Sequence, residues 1–259
     1  MTDVRIDRAR RRLLGRAAAA AGAVLLAGCD RLAATDWFPK VLGLGEKMSE
    51  RVTKLVTGRR AMAQEFGPQD LSPTFRSNGT SMPQNPQYQA MAAARFADYA
   101  LVVDGLVERP GRYSLADLRA LPSRTQITRH DCVEGWSAIG KWKGARLSAV
   151  LAAAGVKPEA RYVVFHCADP MDADGKSPYY ESIDLDDALH EQTILAYELN
   201  DHALPVPNGA PVRLRVERQL GYKHAKYVMR VELVESFASL HGGKGGYWED
   251  QGYQWYAGI

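Results

Sequence analysis

Residues Arg124–Trp136 read RTQITRHDCVEGW. The first nine alternate in the period-2 pattern of a half-buried strand. The strand therefore delivers Cys132 at its end, just ahead of Val133, Glu134 and Gly135. The chain has three cysteines, Cys29, Cys132 and Cys167, so each needs a reason. Cys132 could serve a disulfide, a nucleophile, a metal or simple packing.

Working outward, the flanking segments mix strands and short helices. Tyr99–Val107 (YALVVDGLV) reads as a strand turning at Asp104-Gly105, and Ser114 is a plausible N-cap for a short helix over SLADLRALP. Leu147, Val150, Leu151 and Ala154 share one helical face that Gly155 stops. Arg161–Ala168 (RYVVFHCA) is a nearly continuous apolar run, as in a strand buried on both faces. Residues 193–218 read as two strands separated by a turn and a Pro-rich loop, and Ala225–Phe237 as a long final strand. Upstream, Met48, Val52, Leu55, Val56, Met62 and Phe66 fall near helical spacing, although Gly58 interrupts them. Residues 67–90 are rich in Pro, Ser, Asn and Gln and read as a long loop of the kind that carries function. The pattern is α+β, with one principal domain.

The chain has 259 residues, 46% hydrophobic and 24% charged, with a net charge of +3. The charge is unevenly placed. Residues 1–28 hold six arginines and two aspartates, leaving 27 basic and 28 acidic residues for the rest. The globular part thus lacks the basic footprint of a nucleic-acid binder. In the leader, Arg10-Arg11 precedes a short apolar run ending in LAGC at Cys29. The run is too short and too weakly hydrophobic for a bilayer-spanning helix. It resembles a twin-arginine export signal followed by a lipobox, which makes Cys29 the lipidation site and the mature N-terminus. The expected divisions are a signal peptide over 1–28, a tether, helix and loop over 29–90, and the principal domain over 91–259.

Several chemistries lack their motifs. There is no Walker A, no G-x-S-x-G and no Cys-x-x-Cys-His for covalent haem. His130, Cys132, His166, Cys167, His190 and His224 lack the spacing of a structural zinc site. If Cys29 is lipidated, Cys132 and Cys167 remain as an even pair, which leaves a disulfide open.

Four stretches in order carry a resemblance: CVEGW (Cys132–Trp136), YVVFHC (Tyr162–Cys167), LPVPNGAPVRL (Leu204–Leu214) and GYKHAK (Gly221–Lys226). From Tyr99 to Phe237 the chain resembles the molybdopterin-binding domain of the sulfite-oxidase superfamily, and within it the bacterial periplasmic branch that reduces protein methionine sulfoxide. The resemblance implies an α+β, mixed-sheet domain, here without the C-terminal immunoglobulin-like dimerisation domain, and hence a monomer apart from its electron donor. It implies a molybdenum-molybdopterin cofactor with Cys132 as the thiolate ligand to the metal and the catalytic residue. Asn208 and Arg213 correspond to residues that hold the pterin, and His224, Ala225 and Lys226 to the segment around its phosphate. Asn78, Ser81 and Met82 correspond to an upstream cofactor-contacting loop. Cys167 stands where relatives have a hydroxyl side chain contacting the cofactor.

The implied activity is oxygen-atom transfer to or from a small or protein-bound sulfoxide at the periplasmic face of a membrane. Electrons would come from a membrane cytochrome or quinol-linked subunit. The alternatives are sulfite oxidation on the same fold, or a cofactor-free exported binding lipoprotein with a Cys132–Cys167 disulfide. The animal and plant sulfite oxidases place arginines just after the metal-binding cysteine. Here Glu134 and Trp136 stand in that region, which suits a neutral substrate with apolar groups better than a dianion.

Overall fold

A computed structural model describes residues 60–172 and 177–259 throughout, together with scattered residues between 35 and 58. The leader motif, Arg10, Arg11 and Cys29, lies outside the described residues. The chain divides into two units, one ending at Val52 and the other starting at Thr53. In the first, Phe38, Val41, Leu44 and Met48 are helical, and the Val41 N–H bonds to the Trp37 carbonyl at 3.0 Å. No helix among the described residues is long and apolar enough to cross a membrane.

Two five-stranded sheets form the second unit. The first contains β1 (Ala100–Gly105), β2 (Gly111–Ser114), β5 (Tyr162–Pro170), β6 (Pro178–Asp184) and β10 (Val228–Val234) in the order β2-β1-β10-β5-β6. Only the β1–β10 pair in it is parallel, so the sheet is mixed. The second is antiparallel throughout. It runs β3 (Ser123–Cys132), β4 (Trp136–Arg146), β7 (Ile194–Leu199), β8 (His202–Ala203), with β9 (Arg213–Arg215) also against β7. Helix α1 (Pro86–Ala93) precedes the sheets, α2 (Leu115–Ala120) and α3 (Leu147–Ala154) lead from β2 and β4, and α4 (Leu185–Ala188) follows β6.

One core joins both sheets. Leu101 and Val103 of β1, Phe165 of β5 and Val231 of β10 pack in the same cluster as Leu195 of β7 and Leu214 of β9. Helix α3 buries Leu147, Val150, Leu151 and Ala154, the face its spacing predicts, and ends at Gly155 with φ 73°. Each of its large apolar side chains contributes about 1.5–3 kcal/mol on burial. Ser114 caps α2 by accepting from Asp117 N–H at 3.1 Å, while Asp117 Oδ2 accepts the Ser114 N–H at 2.9 Å.

The upstream helix does not extend to Met62 and Phe66. Residues 61–66 run extended instead, beside β3: Glu65 bridges to Thr128, and Phe66 N–H bonds to the Ile127 carbonyl at 2.9 Å. The Gln192 amide holds this segment by accepting from Ala63 N–H at 2.8 Å and donating to its carbonyl at 3.0 Å. The edge of β3 offered these backbone groups partners that a helix could not use. The expected loop over 67–90 also ends early, because Asn85 caps α1 by accepting from Gln87 and Tyr88 N–H groups. After β10, residues 235–259 carry α5 (Tyr247–Asp250) and return to the domain through a Gln219–Gly258 bridge.

Candidate active site

Cys132 is the last residue of β3 and pairs with Trp136, the first of β4. The hairpin between them closes over Val133, Glu134 and Gly135. Gly135 takes φ 85° and donates its N–H to the Cys132 carbonyl at 3.0 Å. Glycine adopts this left-handed conformation without a Cβ clash. The half-buried thiol is therefore presented on a tight, fixed tip. Burial pushes its pKa up, a backbone hydrogen bond at Glu134 acts in the opposite direction, and nearby Glu134 adds to the rise.

The thiol borders a cavity of about 240 Å³. Asn78, Gly79 and Thr80 form one side, the Cys132–Glu134 tip another, and Asp169 and Met171 enter from the end of β5. Gly221, Tyr222, His224 and Lys226 line it from the segment before β10. Tyr179, Trp248 and Tyr253 complete an aromatic wall with Tyr222. The Tyr222 hydroxyl donates to the Gln254 carbonyl at 2.7 Å, and its ring meets Tyr253 edge-on at 5.3 Å.

Behind the lining lies a layer of buried charge. Arg213 is fully buried and donates to the carbonyls of Asn208 at 3.0 Å and His224 at 3.2 Å. Burial first, then Arg215, lowers its pKa to about 9. Arg215 donates to Glu217 at 2.6 and 2.8 Å and meets His130 Nδ1 at 3.0 Å. His130 Nδ1 is therefore the acceptor, and its proton sits on Nε2. His224 Nε2 donates to the Gln219 carbonyl at 3.0 Å, which leaves Nδ1 as an acceptor. Burial, with Arg215 next, holds both imidazoles well below the usual histidine range.

Lys226 is the one cation among the described residues lining the cavity. Its ammonium donates to the carbonyls of Thr80 at 2.5 Å, Asn78 at 2.6 Å and Pro207 at 2.9 Å. An ammonium has three protons, so all are committed, two to the 78–80 loop and one to Pro207. Burial and Arg213 lower its pKa to about 7.

Of the residues expected from the sequence, Asn78, Cys132, His224 and Lys226 line the cavity. Asn208 and Arg213 stand in the layer behind it. Ser81 and Met82 are exposed on the loop, and Ala225 is buried in the main core. Cys167, two residues before Asp169 on β5, also packs in that core, where burial drives its pKa well up. Both Cys132 and Cys167 are free thiols, so the disulfide alternative is not what the structure contains. Trp136 does not line the cavity. Its Nε1 donates to Glu134 at 3.0 Å, and its ring meets His130 at 5.6 Å and lies under Arg76. The aromatic surface expected of Trp136 comes instead from Tyr222, Trp248 and Tyr253. Sequence reading also missed Asp169 and Tyr179, because nothing in a strand's alternation says which positions face a cavity.

The polar atoms left over describe the ligand that fits. Asn78 Oδ1, Asp169 Oδ1 and His224 Nδ1, all on lining residues, are buried without a partner among the described residues. Each unmet group of this kind costs about 1–3 kcal/mol. Asn78 Oδ1 and His224 Nδ1, with a thiol at the cavity's edge, fit a nitrogen-rich ring bearing N–H donors and a thiophilic metal.

That chemistry and this two-sheet fold define an oxidoreductase with a molybdopterin-binding domain. Residues 88–240 match the oxidoreductase molybdopterin-binding domain family, and the chain belongs to it. Its cofactor is molybdenum-molybdopterin. The chain is 40% identical over 197 residues to YedZ1 of Azospira oryzae, named provisionally as a protein-methionine-sulfoxide reductase subunit, covering 74% of this chain and 70% of the relative. It is 32% identical over 250 residues to the protein-methionine-sulfoxide reductase catalytic subunit MsrP of Xanthomonas axonopodis pv. citri, covering 91% of this chain and 73% of that protein. Among solved structures, the sulfane dehydrogenase SoxCD from Paracoccus pantotrophus is similar at a TM-score of 0.48 and 22% identity. That match covers 69% of this chain and 46% of the other, so the chain spans under half of that structure.

Proposed function

We propose that this protein reduces sulfoxides, methionine sulfoxide in polypeptides among them, by oxygen-atom transfer. When bound, the cofactor supplies two-electron chemistry at molybdenum. Cys132 is the residue that would ligate the metal. Asn78 Oδ1 and His224 Nδ1 would accept from the pterin ring, while Asn208, Arg213 and Lys226 hold the backbone around it.

The observation carrying this reading is the aromatic part of the cavity's wall. Tyr222, Trp248, Tyr253 and Met171 line the cavity, and the single lining cation, Lys226, has no donor to spare. A sulfite dianion needs charge-assisted donors close to the reacting centre. A thioether oxide is neutral and brings apolar groups that aromatic rings and a methionine accommodate.

Export by the twin-arginine route suits a protein that folds around its cofactor before translocation. A lipid on Cys29 would then hold it at the periplasmic face of the membrane, within reach of a cytochrome or quinol-linked subunit that supplies electrons. The names of the relatives, a reductase subunit and a reductase catalytic subunit, support a reductase that works with a further subunit. In the purified holoenzyme, sulfoxide-dependent oxidation of reduced viologen should far exceed sulfite-dependent reduction of ferricyanide. Efficient sulfite turnover without sulfoxide activity would replace this reading with sulfite oxidation.

A further inference from the structure

Reducing a sulfoxide consumes protons as well as electrons: the sulfoxide takes up two of each and yields a thioether and one water. The S–O bond breaks, two O–H bonds form, and sulfur gains the electron pair. The electrons come from the external quinol or cytochrome-class donor, but the protons must arrive inside a cavity walled by aromatic rings. We propose that the Asp169 carboxyl delivers them, one at a time. This rests on the sulfoxide-reductase reading above.

Asp169 lines the same cavity as Cys132, and only 4% of its surface is exposed. Its Oδ1 finds no partner among the described residues. The carboxyl also takes a hydrogen bond from the Thr80 side chain. Among the described residues, these charged and titratable groups act on it. Lys226 stands beside it from the segment before β10, next to Tyr227. Tyr88 faces it from α1, Cys167 from its own strand and Tyr179 from β6. The tyrosines and Cys167 are all pushed upward by burial, so they stay neutral, and Lys226 is the balancing charge among the described residues.

Burial raises the Asp169 pKa to about 6, against the pull of Lys226. A proton donor is most effective when its pKa lies near the working pH. After the first transfer, the carboxylate left behind is stabilised by the Lys226 ammonium until it is reprotonated from solvent. Glu134, the other acid lining the cavity, is exposed and accepts the Trp136 Nε1 proton. It is therefore an outer-rim group.

The test compares wild-type holoenzyme with Asp169→Asn and Asp169→Glu. Molybdenum and pterin per chain are measured first, then kcat for sulfoxide reduction from pH 5 to 8. Wild-type kcat should fall as pH rises through about 6, because only the protonated carboxyl donates. Asp169→Asn should keep full cofactor content, lose about 100-fold in kcat and show no such limb. Asp169→Glu should recover part of both. If the Asn variant loses its cofactor, Asp169 is a cofactor contact and the proposal is overturned; an unchanged pH profile overturns it equally. If wild type reduces no sulfoxide, the functional reading fails, and the same variants are assayed on sulfite. There Asp169 must accept a proton, so activity must rise through the same pH; without that limb the assignment to Asp169 is lost.

Discussion

Cys132 sits where a fixed hairpin tip meets a cavity, and its surroundings make replacement informative. Its neighbours contact it lightly, since it is half-buried at a strand end. Cys132→Ser should therefore shift the stability of the cofactor-free protein by less than about 1 kcal/mol. The alcohol resists deprotonation where a metal-bound thiol does not. Reductase activity should fall to background and molybdenum content should drop, measured by metal analysis and viologen oxidation. Wild-type turnover in that variant would remove Cys132 from the ligand role. This residue was legible in the sequence because a strand pattern ends on it and a family motif begins on it. Asp169 was not, since an aspartate closing an apolar strand reads as a solvated end. Only the fold shows that this end opens into a cavity.

Among the elements, α5 and the Gly221–Lys223 turn depend on one buried ammonium. Lys223 donates to Glu181 of β6 at 2.5 Å and to Glu249 of α5 at 2.6 Å, and all three side chains are at most 1% exposed. Two carboxylates therefore share one cation. Burial first, with Lys223 opposing and the Glu249 charge adding, holds Glu181 well above the usual carboxylate range. Lys223→Met should cost about 3–5 kcal/mol, because it strands buried carboxylates without their cation. Glu181→Gln should cost far less, as it keeps the shape and a hydrogen-bond acceptor while removing a charge that burial disfavours. Denaturant unfolding of both variants checks the contrast, and equal losses would contradict it. The same tie fixes Tyr222 and Trp248, which flank Lys223 and Glu249 in sequence. Sequence reading found β3, β5, β10 and α3, whose patterns are regular, but missed β4, the longest strand. Gly140 and Gly144 interrupt its pattern. In the structure they are what lets it pair: a Cβ on Gly144 would lie 2.2 Å from the Leu195 carbonyl oxygen, and one on Gly140 2.8 Å from the Phe75 ring. A glycine in a strand can mark a close approach as well as a break.

For the whole molecule, the leader and the domain make separate demands. On the proposed twin-arginine route, replacing Arg10 and Arg11 by lysines keeps the charge but removes the receptor-read pair, so the protein should accumulate in the cytoplasm. Cys29→Ala should instead yield exported protein released from membranes. Cell fractionation distinguishes these outcomes, and normal export of the lysine variant would reject the twin-arginine route. The mixed class of the domain was readable from its alternating helical and strand periods. Its division into two sheets was not, because pairing across long separations, such as β1 with β10, leaves no local trace.

That parallel pair also sets an order of events during synthesis. β10 lies between β1 and β5 in the first sheet, yet among the described strands it is the last to leave the ribosome. Until residues 228–234 emerge, β1 and β5 have no shared neighbour, and the cavity segment from Gly221 to Lys226 has only just appeared. A nascent chain therefore cannot trap its cofactor early by folding from the N-terminus. Loading must wait until β10 has emerged. On the proposed export route, the interval between emergence of β10 and translocation is the period in which a cofactor-delivery factor has a receptive partner.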